Sequence, residues 1–223
     1  MRSISIFRVL LIISLGIFTM PLFLYSQDAM THVENGILFY ERNDYETAIL
    51  AFTDAILFNP NHALAYMWRG KAYYMDGGYY PGSKFDNAIA DFTQVIRFEP
   101  NSAEGYYNRG KTYFSASTNT RNEEIKNNYW RRAIDDLTRA ISINPNYTEA
   151  YLVRGEAYIQ NAYYENNAYN DFTTVINTNP YNGDPSVKGQ AYYRRSSIYW
   201  MRGDYERHES DMENANKFGG YGE

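Results

Sequence analysis

The chain has no cysteine, which excludes a disulfide framework, a thiolate metal site and a cysteine nucleophile. Histidine is nearly absent. His32, His62 and His208 stand far apart, and no H-x-x-H or H-E-x-x-H spacing joins them. Basic residues are outnumbered, 21 Lys and Arg against 26 Asp and Glu, so a surface that tracks a phosphate backbone is not expected and no nucleic-acid partner is implied. No glycine-rich phosphate loop, nucleophile–base pair or recognisable pair of catalytic carboxylates occurs, so the sequence points to no enzyme and implies no cofactor and no metal. What is abundant is tyrosine, 24 of 223 residues. Its ring favours sites dry at one end and wet at the other, so this number implies much half-buried surface.

Long apolar runs are confined to the N-terminus. Arg2 and Arg8 precede an uncharged stretch over residues 9–25, interrupted by Pro21 and followed by Ser26 and Gln27. A basic start, an apolar middle and a helix breaker predict a signal peptide over residues 1–26, and an exported, periplasmic or extracellular protein. Leu24 stands where a small residue is usual two positions before the cut. The competing reading is an N-terminal membrane anchor over residues 9–25, although seventeen residues is short of the roughly 20 a spanning helix needs.

The rest of the chain repeats itself. Pro60, Pro100, Pro145 and Pro180 close matching phrases; twelve residues before each stands alanine (Ala48, Ala88, Ala133, Ala168). Eight before stand Phe52, Phe92, Leu137 and Phe172, and five before stand Ala55, Val95, Ala140 and Val175. These offsets follow the 3.6-residue period, so each phrase predicts one amphipathic helix ended by proline. A second phrase precedes it: Tyr66-x-x-Arg69-Gly70-x-x-Tyr73, Tyr106-x-x-Arg109-Gly110-x-x-Tyr113 and Tyr151-x-x-Arg154-Gly155-x-x-Tyr158. A divergent copy reads Tyr192-x-x-Arg195-Ser196-x-x-Tyr199, and the first copy retains Gly36 and Phe39. Glycine inside a helix costs about 1 kcal/mol against alanine. Its recurrence predicts a neighbouring helix too close for a Cβ.

Paired helices with small residues at the crossing and a proline terminator resemble the tetratricopeptide repeat family. That resemblance implies an all-α, right-handed superhelical solenoid over residues 27–218, in units 29–62, 63–102, 103–147, 148–182 and 189–218, with a tail over 219–223. The spacing departs from the family period of about 34 residues: Gly36 to Gly70 fits, but the next two glycine intervals are 40 and 45. In the second unit the surplus is loop-like, around Asp76-Gly77-Gly78 and Pro81-Gly82. In the third, Ile125, Tyr129, Ala133 and Leu137 keep helical spacing, so the second helix is predicted to start near Asn122, two turns early. Asn182-Gly183-Asp184-Pro185 reads as a turn.

Two further readings concern side chains. The aromatic three residues before the small position (Tyr45, Phe85, Trp130, Tyr205) is replaced by Glu165 in the fourth unit. Arg69, Arg109, Arg154 and Arg195 occur in the same units as Asp91, Asp136, Asp171 and Asp211, whereas the first unit has Asn35 and Ala51 instead. Present together and absent together, they predict a structural ion pair within each repeat.

Solenoids of this family line a concave face with their first helices, and the resemblance implies a peptide or protein partner there. By register the exposed positions are Met67, Lys71 and Tyr74; Tyr107, Lys111 and Phe114; Leu152, Glu156 and Ile159; Tyr193, Ser197 and Trp200; and, in the first unit, Val33, Ile37 and Tyr40. The family's carboxylate clamp begins Lys-x-x-x-Asn, where this chain has Val33 and Ile37. An apolar or aromatic segment is therefore the expected ligand. The chain then reads as a non-catalytic binding scaffold of the cell envelope. An anchored assembly factor and an unrecognised hydrolase are the alternatives. No extra capping helix follows Phe218-Gly219-Gly220, so an apolar flank on the last helix, open to self-association, is expected.

Overall fold

The computed structural model describes residues 29–77, 83–160, 162–178 and 184–219. The signal or anchor over residues 1–26, most of the second-unit loop and the Asn182-Gly183 half of the expected turn lie outside them. The described residues are all-α. Helix α1 covers residues 29–41. It is followed by α2 (Tyr45–Phe58), α3 (Ala63–Asp76), α4 (Ser83–Phe98), α5 (Ala103–Asn119), α6 (Glu123–Ile143), α7 (Thr148–Ile159), α8 (Glu165–Asn177), α9 (Pro185–Met201) and α10 (Tyr205–Lys217). The chain divides into two compact units, Met1–Phe98 and Glu99–Glu223. In the first, α3 pairs with α4; in the second, α5 with α6, α7 with α8 and α9 with α10, while first helix stacks on first helix, α5 on α7 and α7 on α9.

Helix ends follow local chemistry. Asp44, Ser102, Asn122, Asp184 and Asp204 each accept a backbone N–H of the first turn through a side-chain oxygen, which satisfies donors that the helix itself leaves unpaired. Asn122 accepts from both Glu124 and Ile125, so α6 starts where its apolar spacing places it and runs for 21 residues against 14 in α2. Asp184 and Pro185 are a helix start rather than a turn: Asp184 caps α9, and Pro185 opens it at the position where its missing N–H costs nothing.

The glycine crossings are as close as the repeat implies. A Cβ built on Gly36 would lie 2.4 Å from the Phe52 ring, on Gly70 2.8 Å from Phe92, on Gly155 2.6 Å from Phe172 and on Gly110 3.0 Å from Leu137 Cγ. The small position thus faces the large one of the same repeat. The fifth unit changes both at once: Ser196 meets the linear Met212, its Oγ 3.3 Å from the sulfur. We expect Gly155→Ala to lower stability by about 1–2 kcal/mol, because crowding the buried ring outweighs the gain in helix propensity. A urea midpoint that stayed or rose would show that Phe172 has room to move.

The four ion pairs form within their own repeats. Arg69, Arg109, Arg154 and Arg195 grip Asp91, Asp136, Asp171 and Asp211 in turn through two parallel bonds of 2.7–2.9 Å, from Nε and one terminal nitrogen. The spare terminal nitrogen of Arg69 donates to Thr53, that of Arg154 to Thr138 and that of Arg195 to Thr173, all in the preceding repeat. One guanidinium therefore ties its own two helices together and joins them to the repeat before.

The motif tyrosines flank the same group. The Arg69 guanidinium lies 5.5 and 5.9 Å from the Tyr66 and Tyr73 ring centres, and Arg154 and Arg195 are held alike by Tyr151 and Tyr158 and by Tyr192 and Tyr199. Burial pushes the Asp91 and Asp171 carboxyls above their usual value, against the pull of their arginines. Burial also works against the charge on these arginines, but the carboxylate's bonds and charge outweigh it and raise Arg69 and Arg154. Desolvation thus consumes much of the attraction, and what the pairs supply is fixed geometry.

Candidate functional site

The first helices carry the candidate binding residues, and their environments separate into two groups. Val33, Met67 and Leu152 are core, with 1, 6 and 5 % exposure, contrary to the expectation from register. Val33 shares a cluster with Phe52 and with Ala65 and Ala72 of α3; Met67 with Ala88, Phe92 and Val95 of α4; Leu152 with Phe172, Val175 and Ala191. Burying an aliphatic chain contributes about 1.5–3 kcal/mol. Small side chains on the following first helix let that helix close over Val33 and Leu152, and the flank becomes interior.

The others remain at least partly open. In the first compact unit Ile37, Tyr40, Lys71 and Tyr74 are half-buried. Tyr40 stands edge-on to Trp68 and Tyr45 at 5.2 and 5.3 Å, Lys71 Nζ lies 4.5 Å over the Trp68 ring, and Tyr74 leans on Phe85. Burial raises the Tyr40 hydroxyl above its usual pKa, with the neighbouring Tyr45 and Tyr74 adding to it. In the second compact unit Tyr107, Lys111, Phe114, Ile159, Tyr193 and Ser197 are half-buried. Tyr107 packs on Tyr147 at 4.8 Å, where burial likewise raises the Tyr147 hydroxyl. Phe114 and Ile159 rest against the cores beneath them. Glu156 is tied to Arg194 at 2.8 Å. Trp200 is 58 % exposed and leans on Tyr205 and His208. These rings keep one face on the core and one in solvent, as the tyrosine content implies.

Two expectations are corrected by particular residues. The last helix has no apolar flank: Glu206, Arg207, Glu209, Ser210, Glu213, Asn216 and Lys217 are its exposed side chains, with only Tyr205 at its start. Such a polar outer face needs no further helix to cover it. The fourth unit is not without its aromatic. A 3₁₀ turn, Ala162–Tyr164, precedes α8 and presents Tyr164, one residue early, to Trp130 and Tyr158 at 5.4 and 5.5 Å. Glu165 instead accepts from Arg202, the residue that follows α9.

The sequence reading also missed the threonines that receive the arginines. Their signal was present, since Thr53, Thr138 and Thr173 each directly follow the Phe or Leu position. It missed as well a cleft of about 470 Å³ beside the start of α6, lined in part by Trp130 and Asn127. Among the described residues, no group of three or more His, Asp or Glu side chains could hold a metal ion, and no helix is long and apolar enough to cross a membrane.

With this arrangement in view, the comparisons with known proteins are consistent. The family model for the TPR (tetratricopeptide) repeat matches residues 36–77 and 79–116. No curated protein matches the sequence. Among solved structures, the chain is similar to TTC0263, a thermophilic TPR protein of Thermus thermophilus, with a TM-score of 0.65, 17 % identity and coverage of 85 % of this chain and 90 % of that one. PilF of Pseudomonas aeruginosa gives 0.69, 14 % identity and coverage of 89 and 79 %. YrrB, a TPR protein described as having an unusual peptide-binding site, gives 0.59, 20 % identity and coverage of 86 % of each chain. Identities at this level speak to the fold alone.

Proposed function

Because the chain belongs to the tetratricopeptide-repeat proteins, we propose that it is a non-catalytic scaffold that holds a protein or peptide partner on its first helices. The observation that carries this reading is the row of rings that the repeat core leaves half open. In the second compact unit these are Tyr107, Phe114 and Tyr193, with the exposed Trp200, the aliphatic Ile159 and the cation Lys111 among them. Lys71 and Tyr74 serve in the same way in the first. Met67 and Leu152 take no part, being core. Aromatic surface with few charges suits an apolar or aromatic peptide segment, and large rings presented on rigid helices are the usual anchors of such contacts. A peptide-binding relative of the same fold, YrrB, supports the class of ligand.

Peptides selected from a random display library on the full chain should be rich in aromatic and aliphatic residues. Changing Tyr193 and Trp200 together to alanine should weaken them at least about tenfold, the loss of one good anchor, while circular dichroism stays helical. Unchanged affinity would move the site elsewhere.

The scaffold acts, in this proposal, outside the cytoplasm, a placement that rests on Arg2, Arg8 and the apolar run after them. N-terminal sequencing of protein purified from its native cells should begin at Gln27. Recovery of an intact Met1 would instead favour the anchored form.

A further inference from the structure

The two extra turns of α6 build a wall that the shorter second helices do not have. They stand beside the end of α5 and the end of α7, and the space between is the cleft of about 470 Å³, within the range of about 300–1,000 Å³ usual for small-molecule sites. Its lining is unlike the half-open rings of the first helices.

Charge is balanced there, since Lys126 Nζ lies 3.4 Å from Glu123 on the same helix, so an anionic or cationic ligand has no unmatched partner. Ser117 and Thr118 donate their hydroxyls to the carbonyls of Phe114 and Ser115, which leaves their oxygens as acceptors. The side-chain amides of Asn127 and Gln160 are exposed and bond to nothing among the described residues, so each offers a donor and an acceptor.

No aliphatic side chain is among the described residues of the lining; its apolar wall is Trp130. That ring is held in place, its indole N–H donating to the Ala157 carbonyl at 2.6 Å. Tyr164 meets the same ring at 5.4 Å, stacks on Tyr158 and meets Tyr163, which is 86 % exposed.

A fixed flat ring beside neutral groups that both donate and accept matches the chemistry of a sugar. One face of a pyranose is C–H and apolar, and its rim of hydroxyls donates and accepts at once. An acidic or basic peptide side chain would call for an opposite charge, and among the described lining residues Lys126 and Glu123 already match each other. We propose that it is a saccharide-binding site, with Trp130 as the stacking surface and Asn127 and Gln160 as the hydroxyl-reading groups. The proposal is independent of the peptide reading.

Isothermal titration of the full chain with chitopentaose and with cellopentaose tests it. Saturable binding of at least one is expected, and Asn127→Ala with Gln160→Ala should weaken it about tenfold, as the loss of two neutral hydrogen bonds implies, with an unchanged thermal midpoint because both amides are exposed. Trp130→Leu should abolish binding while the circular dichroism spectrum stays helical. The Tyr193→Ala, Trp200→Ala protein should bind sugar normally even if it has lost its peptides. Absence of saturable binding to either sugar would overturn the proposal. So would an affinity unmoved by the double amide change, or display-selected peptides that lose affinity in that variant.

Discussion

Phe172→Ala is expected to lower stability by ~3–5 kcal/mol, among the largest effects of any single change in this chain. The ring is fully buried and shares its cluster with Leu152, Val175, Ile176, Ala191 and Ile198, so it serves its own repeat and the next one together. Alanine leaves a cavity that the surrounding helices can close only in part. The same ring is what crowds Gly155, since it lies 2.6 Å from where a Cβ on that residue would stand. Gly155→Ala should therefore cost less once Phe172 is leucine, since in the third unit Leu137 stands 3.0 Å from where a Cβ on Gly110 would lie, against 2.6 Å for Phe172 here. A double-mutant cycle in urea should show coupling of about 1–3 kcal/mol between the two positions. Additive losses would mean that the glycine and the ring are not a matched pair.

The second large effect concerns the buried charges. Asp171→Ala should cost ~3–5 kcal/mol, because it strands the Arg154 guanidinium in a site where its side chain is 15 % exposed. Changing both partners, Arg154→Met with Asp171→Leu, should recover most of that loss, since apolar groups of similar volume need no desolvation. The first repeat already lives without the pair, having Asn35 and Ala51 at these places. Urea melts at neutral pH of the two single variants and the double variant separate the cases. If the double variant is as unstable as Asp171→Ala alone, then the pair stabilises outright, and the desolvation argument drawn from the raised Asp171 carboxyl fails.

Much of the fold was legible because repetition supplies its own control. A single alanine twelve residues before a proline says little; four in step, with the large residue four later, define a helix face, and every one of the four large residues is buried. The Arg–Asp pairs were legible for the same reason, since the unit that lacks one partner lacks both. Even the early start of α6 lay in the run Ile125, Tyr129, Ala133, Leu137, with Asn122 ready to cap it.

Other features did not follow from spacing. Val33, Met67 and Leu152 occupy the same register as one another, and it places them correctly on a flank of the first helix. Whether that flank is surface or core depends on how near the next helix comes. Tyr164 replaces the absent aromatic of the fourth unit from one residue earlier because a 3₁₀ turn rotates it into place. The cleft exists because the lengthened α6 passes the ends of two other helices.

The division has a physical cause. Period, caps and terminators are properties of one helix with itself, set by 3.6 residues per turn and by which groups at its ends lack a partner, and the sequence alone determined them. It also determined which faces must be covered, and that tyrosine would border them. Which neighbour covers each face, the third bond of Arg69, Arg154 and Arg195, the interior fate of three aliphatic residues and the opening beside Trp130 were decided only by the tertiary structure. They depend on the distance and tilt between helices, which large and small side chains set together, and no spacing within one helix carries that information.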